Sequence, residues 1–491
     1  MAGRGAQGRS ADRKRGRLRE VRAAQNGGNK SGAMSTQLRS RAGQNALRRK
    51  LVNVRARSIL MAPLWGILVI LSLVGMRAAG AQDAVTEWTL IGDSFGEGLA
   101  NWRTLAIMHR AMHDALNAAL PIYSRWEPPE PGEPSSYDAL PQAAMVAAAR
   151  QVLLALHPDR QSETDGLYHR ALARLTDGPE RRAGIELGEG VAAAAVRRRK
   201  NDGYEHAYPF PVSTEPGHWR PVPPLMDNGS TTSSRPFLFA SRAEVPARPP
   251  PALGGAVYLR DVAETRRMGG LDAPDRTPAQ TAAAFFWAFQ ESKRGFMSVA
   301  VDMLSRYPRR GGVFEEARIL SQLATALADS AIVVWIDKER FSAWRPITLI
   351  RLGGFGVTPD PNWVPLVPTP PHPEYPSGHA CDCYVGAGLL RAVFGDKPIT
   401  YHPLGGKEPA FAAATGMGQH AQLGVPGAVL REFPSLSAAA QNCADSRIWA
   451  GAHLRSADEE ARRIAGVIVE RALASVPAVL PDHADARSLQ R

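Results

Sequence analysis

A helical periodicity that recurs along alanine-rich segments limits the folds open to this chain more than any other feature. From Leu99 to Leu120 the apolar Leu105, Met108, Met112 and Leu116 fall at helical spacing. Similar stretches recur near 139–157, 161–200, 278–306, 314–345, 377–394 and 457–474. Sustained alternation of apolar and polar residues, the mark of a half-buried strand, is hard to find. An all-α protein of helical bundles is therefore expected. Between about 203 and 255, Pro209, Pro211, Pro216, Pro221, Pro223, Pro224, Pro246, Pro249, Pro250 and Pro251 exclude a helix interior. The predicted organisation is a basic leader over 1–81, an N-terminal helical half over 82–202 and a Pro-rich connector over 203–275. A C-terminal helical half over 276–475 and a polar tail over 476–491 complete it.

Composition matters chiefly through where the charge lies. The net charge is +12, yet 17 of the 59 Lys and Arg residues fall within residues 1–81, which hold only two acids, Asp12 and Glu20. The remainder is slightly acidic, so no basic face for a phosphate backbone is expected and nucleic acid is not a predicted partner. With 44% hydrophobic and 22% charged residues, a disordered or collagen-like chain is excluded. Arg57 and Arg77 bracket an uncharged run, Ser58 to Met76, followed by Ala79-Gly80-Ala81. This pattern reads as a secretory signal cleaved after Ala81. A membrane anchor through 58–76 is the alternative, because the run is about long enough to span a bilayer, although Pro63 interrupts it. Arg48-Arg49-Lys50-Leu51-Val52 admits a twin-arginine export signal as a minor reading, and Met34 is a candidate start. Either way the expected location is outside the cytoplasm: periplasmic or secreted, or anchored to the membrane. The cysteines, Cys381, Cys383 and Cys443, allow one bridge with one free thiol.

Two motifs are set aside. Gly92-Asp93-Ser94-Phe95-Gly96 fits the nucleophile elbow of serine hydrolases, which needs a strand leading into the turn, whereas this chain offers helices. It is read as a loop. His109 and His113 stand one helical turn apart, a metal-compatible spacing, but Arg110 replaces the glutamate of the zincin pattern. They are read as packing or surface residues.

Three segments share one chemical theme. Lys338 and Arg345-Pro346 lie seven residues apart, which on one helix places both cations on the same face about 10 Å apart along the axis. Tyr375-Pro376-Ser377-Gly378-His379 precedes a helical pattern: Ser377 sits where an N-cap belongs, and Gly378 lets an oxyanion approach backbone N–H groups at the helix start. Ser446-Arg447 and His453 add a cation and a second imidazole. A lysine, two arginines, a serine, a glycine N–H and two histidines suit a tetrahedral or trigonal-bipyramidal oxyanion.

The order K-x6-R-P, P-S-G-H, S-R-x5-H resembles that of the vanadium-dependent haloperoxidases and the type 2 phosphatidic acid phosphatase superfamily, bacterial acid phosphatases included. The likeness is closest to bacterial haloperoxidases and runs from about Trp102 to Ala472, through segments such as Ala328–Trp335, Pro359–Trp363 and Pro370–His379. It implies orthovanadate as cofactor, with His453 as its axial ligand and Lys338, Arg345, Ser377, the Gly378 N–H and Arg447 holding the equatorial oxygens. It implies His379 as the acid/base, Lys338 as the group that polarises peroxide, and hydrogen peroxide, a halide and an organic acceptor as reactants. His372, seven residues before His379, is similar to the bromide-oxidising members, which favours bromide or iodide. Trp344 and Tyr375 are the other residues expected at the halide or substrate pocket.

One departure stands out. Many members of the superfamily place an aspartate four residues after the second histidine, and here that position is Ala457. Asp458, Glu459 or Asp445 are the candidates to replace it. An acid phosphatase using His453 as nucleophile needs such an orienting carboxylate, so its loss weakens the alternative of a vanadium-free phosphomonoesterase at the same site. The resemblance also implies that the segments around 381–383 and 443 meet, so Cys443 is expected to bond Cys381 or Cys383. An exposed apolar helix face would support a homodimer, though periodicity does not identify which.

Overall fold

The computed structural model describes residues 84–481 apart from 96–97, 134–137, 224–229, 232, 290–291 and 402–430. The leader and its apolar run, and the tail beyond Pro481, lie outside the described residues. The described residues are mostly helical: α1 over 84–94, α2 (Gly98–Ala119), α3 (Pro141–Leu156), α4 (Gln161–Ala173), α5 (Pro179–Arg198), α6 (Ala256–Gly269) and α7 (Pro278–Phe289). There follow α8 (Ser292–Arg306), α9 (Gly312–Phe341), α10 (Pro346–Leu352), α11 (Gly378–Phe394), α12 (Leu436–Trp449) and α13 (Arg455–Ala474). Among the described residues, strand structure is confined to two small antiparallel pairs, Tyr208–Pro209 with Ser230–Thr231 and Ile399–Tyr401 with Arg431–Phe433.

Helix α9 is the axis of the molecule. It is apolar and long enough to cross a membrane, yet 94% of its most apolar stretch is buried inside the protein, which makes it a core helix. Helix α2 packs along it, as do α11 and α13 from the C-terminal half. The alanines that dominate the periodic segments allow close helix approach. At the α3–α5 contact even alanine is too large: a Cβ at Gly188 would lie 2.1 Å from the Ala144 carbonyl oxygen, and one at Gly184 would lie 2.5 Å from that of Leu140. Gly188→Ala should therefore separate the two helices and lower stability by about 1–3 kcal/mol in a chemical denaturation curve.

The Gly92–Gly96 segment corrects the sequence expectation. Its first residues close α1, where the Ser94 hydroxyl donates to the Ile91 carbonyl at 2.7 Å. Buried Val85, Trp88 and Thr89 anchor α1 on the core, so residues 92–94 of what reads as a loop belong to a packed helix. His109 and His113 are wholly buried on α2; His113 Nδ1 lies 3.0 Å from Asp114, and His109 Nε2 lies 3.4 Å from the Thr89 hydroxyl.

The expected connector over 203–275 is interrupted by α6 (Ala256–Gly269); before it, the short pair of Tyr208–Pro209 with Ser230–Thr231 is the strand pairing among the described residues, so other N–H groups of this Pro-rich stretch need partners elsewhere. Carboxylates of the helices provide them. Asp329 of α9 accepts from Phe237 N and Leu238 N, both at 2.7 Å. Asp337 accepts from Ala247 N at 2.8 Å, and Glu460 of α13 from Arg248 N at 2.7 Å. Further on, Trp219 N donates to Ser342 O at 2.7 Å and Trp344 N to Gly217 O at 3.0 Å. These bonds fasten the connector to the stretch just before Arg345.

Among the cysteines, Cys383 and Cys443 form a disulfide of 2.04 Å that ties α11 to α12, and Cys381 is a buried free thiol. The sequence left Cys381 and Cys383 open as the partner. On α11 they stand two residues apart, about 200° around the helix, so only one of the two can face α12.

Candidate oxyanion site

Five elements bring the site residues together in one buried cluster. Lys338 lies in the last turn of α9, which ends at Phe341 because Ser342 turns into the left-handed region at φ 44°. Arg345 is thus not on the same helix as Lys338, as the seven-residue spacing suggested, but in the extended residue that caps α10. The turn at Ser342 and the connector strap, not two helical turns, bring the cations together. Ser377 is the N-cap residue of α11 and makes no side-chain capping bond; Gly378 and His379 open that helix. A Cβ at Gly378 would lie 3.0 Å from the Trp335 ring, so the glycine permits tight seating of the helix start on α9. Arg447 comes from the last turn of α12. His453 comes from the short link to α13, held where its own N–H and that of Ala452 donate to the Arg447 carbonyl.

All the cations are buried: Lys338 and Arg345 show no exposure, and Arg447 shows 2%. Burial pushes the Lys338 ammonium well below its usual range, assisted by Arg345. It lowers Arg345 to about 9 and Arg447 to about 10, so both guanidinium groups stay charged at neutral pH. The Lys338 ammonium donates to the carbonyls of Pro373 and Glu374, each at 3.0 Å, and to that of Pro376. Its three donors therefore shape the loop before Ser377, and toward an oxyanion it offers charge first. Arg345 donates to the His372 carbonyl at 2.7 Å and the Ala452 carbonyl at 2.8 Å; its Nη2 lies 2.9 Å from His372 Nδ1 and its Nη1 3.2 Å from His453 Nε2.

The orienting carboxylate is Glu374. It is 2% exposed, its Oε1 lies 3.0 Å from His453 Nδ1, and the same oxygen accepts from Leu454 N at 2.9 Å. The contact places a proton on Nδ1 and leaves the Nε2 lone pair facing the cations. None of the three acids expected for this task performs it. Asp445 is paired with Arg455, Glu459 is exposed, and Asp458 lies beside Ser377 and Arg447. The available signal was a carboxylate three residues before Ser377 in an otherwise apolar, proline-rich loop. What it lacked was any sequence proximity to His453, 79 residues away.

His372, His379 and His453 are all pushed well below the ordinary imidazole range, first by burial and then by the surrounding cations: Arg345 and Lys338 for His372 and His453, Arg447 and Lys293 for His379. Each is neutral in the resting site. The His372 ring lies 5.1 Å from that of Trp335 and 6.5 Å from that of Phe210, two neighbours the sequence did not single out. Trp344 belongs instead to a separate apolar cluster with Tyr258, Ile347, Leu349 and Trp363. Tyr375 packs on Phe341 and donates its hydroxyl to the Arg248 carbonyl at 2.9 Å, pinning the connector. Neither faces His372 in the described contacts.

Several buried polar atoms here lack a partner among the described residues: Ser377 Oγ and Arg447 Nε and Nη1. Unsatisfied buried donors at one place are costly unless a ligand meets them. With the Nε2 lone pair of His453, they match a tetrahedral oxyanion that also takes one axial nitrogen, which is the chemistry of vanadate or phosphate.

This helical fold is similar to that of solved bacterial vanadium-dependent haloperoxidases. Residues 318–480 match the family described as the VCPO second helical-bundle domain. Vanadium chloroperoxidase of Curvularia inaequalis is 27% identical over 357 residues, covering 57% of this chain and 58% of that protein, so the chain spans somewhat over half the length of that curated relative. Among solved structures, the first bacterial vanadium-dependent iodoperoxidase superposes with a TM-score of 0.65 at 22% identity, covering 83% of this chain and 98% of that one. A holo-type bacterial vanadium-dependent chloroperoxidase gives 0.55 at 17% identity, covering 78% and 94%. At these identities the structural likeness establishes the fold.

Proposed function

We propose that this chain is a vanadium-dependent haloperoxidase, using hydrogen peroxide to oxidise halide and halogenate an organic acceptor. The observation that carries the reading is the Glu374–His453 contact, which orients His453 so that its Nε2 faces the Arg345 guanidinium at 3.2 Å, with Lys338 and Arg447 nearby. His453 would hold vanadate through Nε2, with Arg345, Arg447, Ser377 and the Gly378 N–H around its oxygens and Lys338 supplying charge. Bound vanadate supplies a Lewis-acidic centre that activates peroxide toward halide without itself changing oxidation state. His379, neutral at the first turn of α11, is placed to accept a proton as peroxide enters and to return it later. Arg345 holds His372 by Nδ1, and the Trp335 and Phe210 rings give that side of the pocket an apolar, polarizable wall. Such a wall suits a large, weakly hydrated halide, and supports bromide or iodide over chloride.

A phosphomonoesterase remains the second reading, because Glu374 supplies the orienting carboxylate that a nucleophilic His453 requires. One assay separates them: bromide, iodide and chloride with hydrogen peroxide and a halogen-acceptor dye, with and without orthovanadate, beside p-nitrophenyl phosphate. Halogenation strictly dependent on orthovanadate is the expected result. Phosphate ester hydrolysis inhibited by vanadate, with no halogenation, would move the chain to the phosphatase class. We further propose export, to the periplasm or beyond or as a membrane-anchored protein through 58–76; the Cys383–Cys443 bond supports an oxidising compartment. A homodimer is also proposed, and light scattering of the purified chain tests it.

A further inference from the structure

The Cys383–Cys443 bond lies on a seam that the oxyanion site itself uses. Cys383 follows His379 by four residues on α11, and Cys443 precedes Arg447 by four on α12. Each sulfur therefore shares a helix face with a site residue about 6 Å away along the axis. Both cysteines are fully buried, and Cys443 Sγ lies 3.5 Å from the His379 carbonyl oxygen. Two hydrogen bonds also cross this seam, from the Tyr384 hydroxyl to Gln441 and from Arg391 to Ser437, each at 3.1 Å, but both are exposed and farther from the site. Arg447 Nε and Nη1 have no partner among the described residues, so no hydrogen bond at those atoms holds the guanidinium in place.

The charges at this point push the helices apart. Arg345 and Arg447 are buried like charges carried by different elements, and the field of Arg447 opposes the charge of both Arg345 and Lys338. Repulsion of that kind is strong away from water, and with no anion between them it favours drawing α12 and its Arg447 outward. A covalent tie one turn from Arg447 resists the movement. We propose that the Cys383–Cys443 disulfide positions Arg447 against the start of α11, holding the site at the spacing a tetrahedral oxyanion needs and so setting its affinity. The inference rests on reading the pocket as an oxyanion site. Reduction by a dithiol passes two electrons and two protons to the bond, leaving two separate thiols on the chain and a disulfide on the reductant. The reduced chain then holds its oxyanion less tightly, and full affinity follows bond formation in an oxidising compartment.

Inorganic phosphate is the probe, titrated calorimetrically into the purified full chain. The Cys383→Ala/Cys443→Ala double variant, folded by circular dichroism, should bind phosphate about 10-fold more weakly than the wild type. Linkage gives a second reading that needs no variant: whatever factor the bond adds to phosphate affinity, saturating phosphate adds to formation of the bond. In a glutathione redox buffer read by thiol alkylation, phosphate should therefore favour the disulfide by the same factor, about 30 mV in potential. Unchanged phosphate affinity in the folded variant, or an unchanged potential in a reduced chain that stays folded, overturns the proposal and leaves the bond a staple of the fold alone. So does a chain that unfolds both as the variant and on reduction, because the bond is then a requirement of the fold and not of the site. If the wild type binds neither phosphate nor orthovanadate, the oxyanion-site reading itself falls, an outcome distinct from an affinity that ignores the disulfide.

Discussion

His453→Ala should abolish vanadate-dependent halide oxidation, and Glu374→Gln should weaken orthovanadate binding by about 10–100-fold, as loss of a ligand's hydrogen-bonding partner does. Alanine removes the imidazole nitrogen that would bind vanadate. Glutamine keeps the size of Glu374 but removes the charge that raises the basicity of His453. Burial raises the Glu374 carboxyl to about 7 against the pull of Leu454 N, Arg345 and Lys338, so the difference from glutamine should be larger above pH 7 than below it. Equilibrium dialysis against orthovanadate reads the affinity directly, and a melting curve of the vanadate-free protein separates a binding defect from a folding one. A Glu374→Gln protein with unchanged vanadate affinity would show that the Nδ1 contact does not set the strength of the ligand.

Asp329→Ala should cost about 2–4 kcal/mol of stability, because it strands two buried backbone N–H groups, each of which costs roughly 1–3 kcal/mol when left without an acceptor. Those groups, Phe237 N and Leu238 N, have Asp329 as their acceptor, and the connector they belong to is fastened by few other bonds of this kind. A urea denaturation curve measures the loss. The same residue gives a pH signature. Burial raises the Asp329 carboxyl from 3.8 to about 6 against the pull of the two N–H donors and of Arg199 and Arg110. A raised acid binds its proton more tightly in the folded state, so its contribution is fully present below about pH 3.8 and is lost as pH rises through about 6. Wild-type stability should carry that decline, and Asp329→Ala should flatten it. An identical pH slope in both proteins would place the titrating group elsewhere.

How far the sequence could be read is clearest from particular residues. Helix content followed from apolar spacing in alanine-rich segments, since a 3.6-residue period is a local property that neighbouring residues carry among themselves. The grouping of residue types was legible in their order: Lys338, Arg345, Ser377-Gly378-His379, Arg447 and His453 lie buried near one another. Their geometry did not follow. Lys338 and Arg345 were placed on one helix, and the left-handed turn at Ser342 divides them, because nothing in a seven-residue spacing reveals where a helix stops when the breaker is a serine. Trp344 and Tyr375 were expected at the halide or substrate pocket; side-chain direction sends one into a second core and the other against the connector.

What the sequence determined by itself was therefore the kind of fold and the inventory of charges and imidazoles, since both depend on local pattern and residue chemistry. The tertiary structure alone decided which carboxylate serves His453, which cysteine bonds Cys443, and which buried groups are left to meet a ligand. Those choices rest on distances between segments far apart in the chain, Glu374 and His453 at 3.0 Å across 79 residues among them. Contacts of that range are set by how helices pack on α9, and a single sequence carries no local trace of them.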